Sequence, residues 1–200
     1  MAPCQRGVRC PRIVAILAIG LSWLGQASSA VAAVDPNQRY YFLTTYKTST
    51  MQKELDAVVQ QGFRVIASSH LGQQGQGLAV LLERATPPDL YSYKVLATNR
   101  SGTMQKELSA AAAEGYRFSP TRVLARKGGL GLGAAEVVLI LERPPNVDQL
   151  FEYRLLGTAR ESTMFEEIEQ AVAEGFHCVG IVAPGELMVV MEREARPPSQ

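Results

Sequence analysis

A basic residue followed three positions later by a threonine recurs three times along the chain, and this pair is the clearest candidate for binding chemistry. Each threonine is predicted to be a helix N-cap, so its hydroxyl would lie beside backbone N–H groups that no helical carbonyl accepts. A basic side chain next to such donors can hold a phosphate, sulfate or carboxylate. The candidate anion-binding residues are Lys47, Thr50, Arg100, Thr103, Arg160 and Thr163.

The same placement also has a plain structural interpretation. A positive charge near a helix N-terminus opposes the helix dipole, and local violations of such a rule sometimes mark function. Alternatively, the side chain points away from the helix or pairs with a glutamate that recurs as well, and duplication alone would copy both residues. Those glutamates are Glu54, Glu107 and Glu167.

The rest of the chain holds no pattern typical of catalysis, cofactor binding or metal binding. The glycine-rich segment 128–134 precedes a strand rather than a helix, which favours a hairpin loop over a dinucleotide site. The two histidines, His70 and His177, occupy non-equivalent positions, whereas zinc needs three or four ligands. We therefore predict no catalytic, cofactor-binding or metal-binding residues.

Residues 1–33 predict a secretory signal peptide. Three arginines between positions 6 and 12 precede an apolar run over 13–24, and small residues fill 27–33. A membrane anchor is the alternative, but the run is shorter than the roughly 20 residues needed to span a bilayer. We expect cleavage after Ala32 or Ala33, no transmembrane anchor afterwards, and a periplasmic or extracellular protein.

Removal of this leader changes the charge and the cysteine content. The chain has 20 basic and 19 acidic residues, and the leader takes three arginines and no acidic residue, which leaves a net charge of −2. A near-neutral chain argues against a general nucleic-acid binder. Cys178 is then the only cysteine, so no disulfide forms within the mature chain, and we expect it to be a buried small hydrophobe.

Internal self-similarity determines the predicted architecture. Residues 50–55 recur letter for letter at 103–108 and in a looser form at 163–168. In the same register each copy has a tyrosine eleven residues before its methionine, a glycine–aromatic pair after the helical segment, and a Glu-Arg ending. The predicted repeats span residues 38–86, 90–144 and 150–194, with a tail at 195–200.

Each copy is predicted to form a β-α-β-β unit. An alternating strand leads to a run of helix formers, a glycine such as Gly115 ends the helix in the left-handed conformation, and two strands follow. The last strand, for example Val137 to Leu141, is apolar on both faces, so we place it in the centre of its sheet. We interpret the Glu-Arg endings as pairing across strands or facing solvent.

About 50 residues bury too little surface to be stable alone, so the copies are expected to share a core. The prediction is an α+β fold of three tandem units with antiparallel or mixed sheets. Helices cover one face of each sheet, and neighbouring copies cover the other.

These features resemble a small bacterial domain family of unknown function, whose pattern is Tyr-x-Tyr-Lys-Val followed by Ala-Glu-Gly-Trp. Tyr91 to Val95 with Ala113 to Tyr116 match best, and Phe or Tyr replaces the tryptophan in every copy. The resemblance covers nearly all of residues 38–194. It implies tandem copies of that domain and carries over no catalytic residue.

The leading functional hypothesis is an exported, non-enzymatic module that binds an unknown protein or a small anionic ligand. One alternative is an extracytoplasmic hydrolase-like enzyme that uses paired carboxylates, which requires polar groups converging in a pocket. Another is a purely structural component of the cell envelope. The sequence leaves the oligomeric state open.

Overall fold

The computed structural model describes residues 34–72, 77–85, 90–126, 136–147, 149–158, 160–182 and 187–195. The predicted leader, the glycine-rich segment and residues 196–200 of the predicted tail lie outside the described residues.

The described chain is an α+β protein in which the order β-α-β-β occurs three times. The first unit consists of β1 (Tyr40–Thr45), α1 (Thr48–Val59), β2 (Phe63–Leu71) and β3 (Gly77–Arg84). The second consists of β4 (Ser92–Thr98), α2 (Ser101–Ala113), β5 (Val123–Arg126) and β6 (Glu136–Arg143). The third consists of β7 (Phe151–Thr158), α3 (Glu161–Ala173), β8 (His177–Val182) and β9 (Leu187–Glu194).

Each unit forms its own three-stranded antiparallel sheet with the last strand in the middle. The strand orders are β1-β3-β2, β4-β6-β5 and β7-β9-β8. The predicted central place of the apolar strand is confirmed. Parallel pairs, which a mixed sheet would need, do not occur between these strands.

The central strand is buried on both faces because two different neighbours cover it. In β6, Val137, Leu139 and Leu141 pack in the same core cluster as α2. Val138 and Ile140 belong instead to the core cluster of the first unit, together with α1. The prediction that an adjacent copy covers the second face is confirmed for the second and third sheets, whereas Phe42 on that face of the first sheet is exposed.

The three units are therefore joined in a row. Helix α1 packs against β4 of the second unit, and α2 packs against β7 of the third. The second core cluster likewise takes residues from β9 of the third unit, such as Met188 and Val190. At each of these two junctions, one unit presents its helix to the next unit, which contributes the outer face of its sheet.

The helix starts differ from the prediction. Thr50, Thr103 and Thr163 are not N-caps, because the helices begin two residues earlier, after Lys47, Arg100 and Arg160. These basic residues occupy the N-cap positions with extended backbones and without a capping side-chain hydrogen bond. The threonines lie within the first turn.

The helix ends follow the prediction. Gly62, Gly115 and Gly175 have φ angles of +87°, +87° and +89°, in the region that favours glycine. After α2, Gly115 N–H donates to Ala112 and Tyr116 N–H donates to Ala111, which is the Schellman pattern.

The second unit differs from the other two in the segment between its helix α2 and its second strand β5. A 3₁₀ turn at Pro120–Arg122 precedes β5, which begins only at Val123. The turn packs against β2 of the first unit and against β8 of the third. It directs the buried Arg122 towards Glu142.

Substituting alanine at two of the helix-ending glycines will separate the destabilisation caused by backbone strain from the destabilisation caused by a steric clash of the added Cβ. We expect Gly175→Ala to lower the free energy of unfolding by about 1 kcal/mol, because its φ is left-handed but nothing lies within 4 Å of the added Cβ. Gly115→Ala is expected to lower it by about 2 kcal/mol, since its Cβ would also lie 3.0 Å from Val147. Urea unfolding measures both, and Gly102→Ala, in open space within α2, is the neutral control. Equal losses at positions 115 and 102 would contradict the expectation.

Candidate functional site at the unit junctions and ends

The predicted anion-binding pairs lie at the helix starts, each pair on its own helix. The Thr50 hydroxyl donates to the carbonyl of Lys47 at 3.2 Å instead of accepting a helical N–H. Within the described ranges, no ion pair joins the basic residues to Glu54, Glu107 or Glu167. Binding of an anion at these six residues therefore stays a prediction.

A second set of threonines, which the sequence analysis missed, organises these helix starts. Each hydroxyl oxygen accepts the backbone N–H of the basic residue two positions later, at 3.2–3.3 Å. Such a local turn fixes the chain entering the helix. The pairs are Thr45–Lys47, Thr98–Arg100 and Thr158–Arg160.

Glu142, near the end of β6, is the buried centre of the junction between the first and second units. Its carboxylate accepts two hydrogen bonds, at 3.1 and 2.9 Å, from Arg64 on β2 of the first unit. Arg122 pairs with it at 3.0 Å, and the Tyr93 hydroxyl donates to it at 2.7 Å. A single carboxylate thus joins side chains from two units.

Tyr93 extends this network back into the first unit. Its hydroxyl oxygen accepts the backbone N–H of Val65 at 2.9 Å while its hydrogen goes to Glu142. The Arg64 guanidinium lies 4.2 Å from the centre of the Tyr91 ring, a cation–π arrangement. The junction therefore fixes both the register and the orientation of β2 against the next sheet.

The second junction repeats the first. Arg117 of the second unit binds Glu192 of the third at 3.0 Å and lies 3.8 Å from the centre of the Phe151 ring. The Tyr153 hydroxyl donates to Glu192 at 2.5 Å and accepts the N–H of Phe118 at 3.1 Å. Two of the three Glu-Arg endings thus supply a buried glutamate that binds across a junction, whereas Arg193 of the third ending pairs with Glu152 on the adjacent strand as predicted.

The charge states in the first junction follow from its contacts. Burial acts to raise the pKa of Glu142, but hydrogen bonds from Arg64 and Tyr93 and the charge of Arg122 outweigh it and hold that pKa below the usual 4.5. Burial, together with the neighbouring carboxylate, raises the pKa of Tyr93. At neutral pH the glutamate is charged and the phenol is protonated, as the hydrogen bonds require.

A glutamine on each of the first two helices completes the junctions. The Gln52 side-chain amide donates to the carbonyl of Tyr93 at 2.9 Å, and its oxygen accepts the N–H of Val95 at 2.7 Å. Gln105 makes the same two hydrogen bonds to β7, at 2.9 and 2.5 Å. Each glutamine satisfies backbone groups on the open edge of the next unit's first strand.

The third unit has no following unit among the described residues, and its equivalent positions are exposed. Val172 is 51% exposed, whereas Val59 and Ala112 at the same helix position are 6% and 2% exposed. Phe165 replaces the glutamine and is 65% exposed, and Ile181 on β8 is 64% exposed. We call Phe165, Val172 and Ile181 the tail face.

Cys178 lies at this end as well, and the prediction that it is buried is wrong. Its equivalents Val65 and Phe118 are buried against the next unit, whereas Cys178 is exposed because no unit follows it in the described chain. His177, at the position of the junction arginines, is exposed as well.

The opposite end of the row is the outer face of the first sheet. Tyr40 is 45% exposed, whereas its equivalents Tyr93 and Tyr153 are 4% and 5% exposed. Phe42, two residues along β1, is 64% exposed and lies opposite Leu81 in the sheet. We call Tyr40, Phe42 and Leu81 the head face.

A cleft of about 300 Å³ opens at the first junction and is lined by Arg64, Arg117 and Arg122. Glu142 and Glu192 already bind these arginines, so most of the positive charge is neutralised. Within the described ranges no group of three metal-binding side chains is close enough to hold an ion, and no helix there has the length and apolarity to cross a membrane.

The chain shows no match to known family models, to curated proteins or to solved structures. The resemblance to a bacterial domain family stays a prediction for that reason.

The junction and end residues were missed because the repeats were compared for what they share. A usable signal was present in their differences, because the third copy has Phe165 in place of glutamine and His177 in place of arginine. Both replacements occur at positions that bind a following unit, and both fall in the copy that no further unit follows among the described residues.

We expect Glu142→Gln to lower the free energy of unfolding by about 3 kcal/mol, because it leaves a buried arginine without its counter-charge. Glu83→Gln is the matched control: Glu83 pairs with the exposed Arg39, and such a pair contributes about 1 kcal/mol or less. Denaturant unfolding measures both variants.

The pH dependence of that loss gives a second check. Since the folded-state pKa of Glu142 is lowered, its stabilising effect is complete above about pH 4.5 and is lost as the pH falls through the folded pKa. The difference between parent and Glu142→Gln should therefore shrink on acidification below pH 4.5. A difference that is independent of pH would contradict the ionic origin.

The anion prediction is checked by thermal unfolding. We expect inorganic phosphate to raise the Tm of the parent protein relative to sodium chloride at equal ionic strength, because a ligand of the folded state stabilises it. Arg100→Ala should reduce the rise. An equal Tm of the parent protein in the two salts would exclude anion binding at the helix starts.

Proposed function

We propose that the protein is an exported, non-catalytic module that binds a protein partner through the exposed ends of its row of three units. The observation that carries the proposal is the tail face. Phe165, Val172 and Ile181 are large apolar residues with half or more of their surface exposed, at positions where the other units contact a neighbour. Exposed apolar surface of this kind is typical of interaction sites.

The contacts of the buried carboxylates favour a binding module over the hydrolase-like alternative. An acid catalyst needs a carboxyl group with a raised pKa, whereas the pKa of Glu142 is lowered and its oxygens are bound by Arg64, Arg122 and Tyr93. Glu192 is similarly held by Arg117 and Tyr153. These buried carboxylates act as structural links between units.

Export is the other part of the proposal, and it rests on the leader predicted for residues 1–33. In that case the partner is a protein of the periplasm or the extracellular space. A small anionic ligand and a purely structural envelope role remain the competing hypotheses. A small anionic ligand would make no use of the apolar side chains at the tail face.

Site-specific photo-crosslinking in living producing cells tests the proposal. We expect a photoreactive residue at Phe165 or Ile181 to give a protein adduct of defined mass, because both side chains would lie in the interface. The same residue at Gln170 is the control, since this exposed position is turned about 140° away from Phe165 on α3. Absence of adducts at positions 165 and 181, or equal adducts at all three positions, would contradict the proposal.

A further inference from the structure

The two junctions inside the chain define how one unit binds the next. The binding side consists of the outer helix surface and the second strand, which carry Gln52 and Arg64 in the first junction. The receiving side consists of the outer sheet face, which carries Tyr93, Val95 and Glu142. Because both junctions use this arrangement, the row has a direction and its two ends differ.

The exposed ends are the two halves of a further junction of the same type. The tail face is the binding side of the third unit, and the head face is the receiving side of the first. Val172 is 51% exposed and Tyr40 is 45% exposed, whereas their equivalents inside the row are at most 6% exposed. Each end thus exposes positions that are covered at the junctions inside the row.

Two acceptors on the receiving side of the first unit are already satisfied from within that unit. The Tyr40 carbonyl, which corresponds to the acceptor of Gln52 in the first junction, accepts from the Gln38 side chain at 2.7 Å. Glu83, which corresponds to Glu142, pairs with Arg39 at 3.0 Å. An apolar partner can therefore cover this side without leaving these two acceptors unpaired.

The tail face shows the reciprocal change. Phe165 occupies the position of Gln52 and Gln105, the glutamines that bind the first strand of the next unit. In a junction of the same type it would lie against the edge of β1, which contains Tyr40 and Phe42. Phe42 is in turn the largest residue at its position, since the equivalents are Val95 and Leu155. A hydrogen-bonded contact inside the row is thus replaced by a pair of aromatic side chains at its ends.

We propose that the partner of the tail face is the head face of a second copy of this chain. This inference rests on the proposed function and names its partner. Phe165 of one copy packs on Phe42 of the next, and His177 lies towards Glu83 as Arg64 does towards Glu142. Since the two contacting surfaces differ, the contact is heterologous and builds either closed rings or filaments.

The test uses two variants of the full chain, each blocked at one end by a charge on an exposed residue. Phe165→Glu blocks the tail face and Phe42→Glu blocks the head face. We expect the parent protein to associate with rising concentration between ~1 μM and ~1 mM in sedimentation velocity, the range over which modest interfaces dissociate. Each variant alone should stay monomeric. A reducing agent keeps Cys178 from linking copies covalently.

The decisive measurement is the equimolar mixture of the two variants. Each still has one intact end, so the mixture should form a dimer and no larger species. Gln170→Glu, exposed on the same helix, is the control and should associate like the parent. Val172→Asp provides a second tail variant in case Phe165→Glu does not fold, which circular dichroism checks.

Cys178 reports the same event independently. Its equivalents in the row are buried, so its reaction with a thiol reagent should slow as the parent protein assembles and stay fast in Phe165→Glu. A parent protein that stays monomeric, a mixture without dimer, or blocked variants that still associate would overturn self-assembly. Crosslinks from Phe165 to a different protein would then leave the proposed function standing with another partner.

Discussion

The central strand of each unit is apolar on both faces, and one helix can cover only one of them. The rest of the architecture follows from this constraint, because the second face must be covered by another body. In β6 the alternate residues Val138 and Ile140 pack with the first unit while Val137 and Leu139 pack with α2. A unit of this size has no further layer of its own to offer, so its stability depends on a neighbour.

Apolar burial alone would hold the units together without fixing how they meet. The buried glutamates supply that specificity, since Glu142 is satisfied only when Arg64, Arg122 and Tyr93 all reach it. Breaking such a network leaves a buried charge unpaired, so a shifted register is strongly disfavoured. Gln52 acts in the same way on the backbone, because its amide fits one carbonyl and one N–H of β4.

A row with a direction has two unlike ends, and the repeats differ there in the residues that form the internal junctions. At the internal junctions, the residues that fix the register of one unit against the next are polar, as Gln52 and Arg64 are at the first junction. At the tail, Phe165 replaces the glutamine and His177 replaces the arginine. At the head, Gln38 replaces the aromatic residue whose ring contacts an arginine of the preceding unit at both internal junctions. The ends are therefore not plain copies of an internal junction, and the first unit satisfies its own polar groups through Arg39 and Gln38.

The sequence by itself determined the features that local patterns encode. Repetition showed three units, residue periodicity showed their strands and helices, and Gly62, Gly115 and Gly175 marked the helix ends because a left-handed φ is a property of single residues. The unalternating apolar strand was enough to place it in the centre of its sheet. Helix starts were predicted wrongly at Thr50, Thr103 and Thr163 because the adjoining turns, fixed by other threonines, moved the N-cap to the basic residue.

Only the tertiary structure decided which residues of one unit contact the next unit and which are buried there. Arg64 and Glu142 are 78 positions apart, and no local pattern says that a charge at the end of one sheet meets an arginine of another unit. The exposure of Cys178 has the same origin, since its residue type favours burial but its position needs a neighbour to bury it. Whether such a residue is buried depends on whether another unit packs against it, and only the arrangement of the three units in the row determines this.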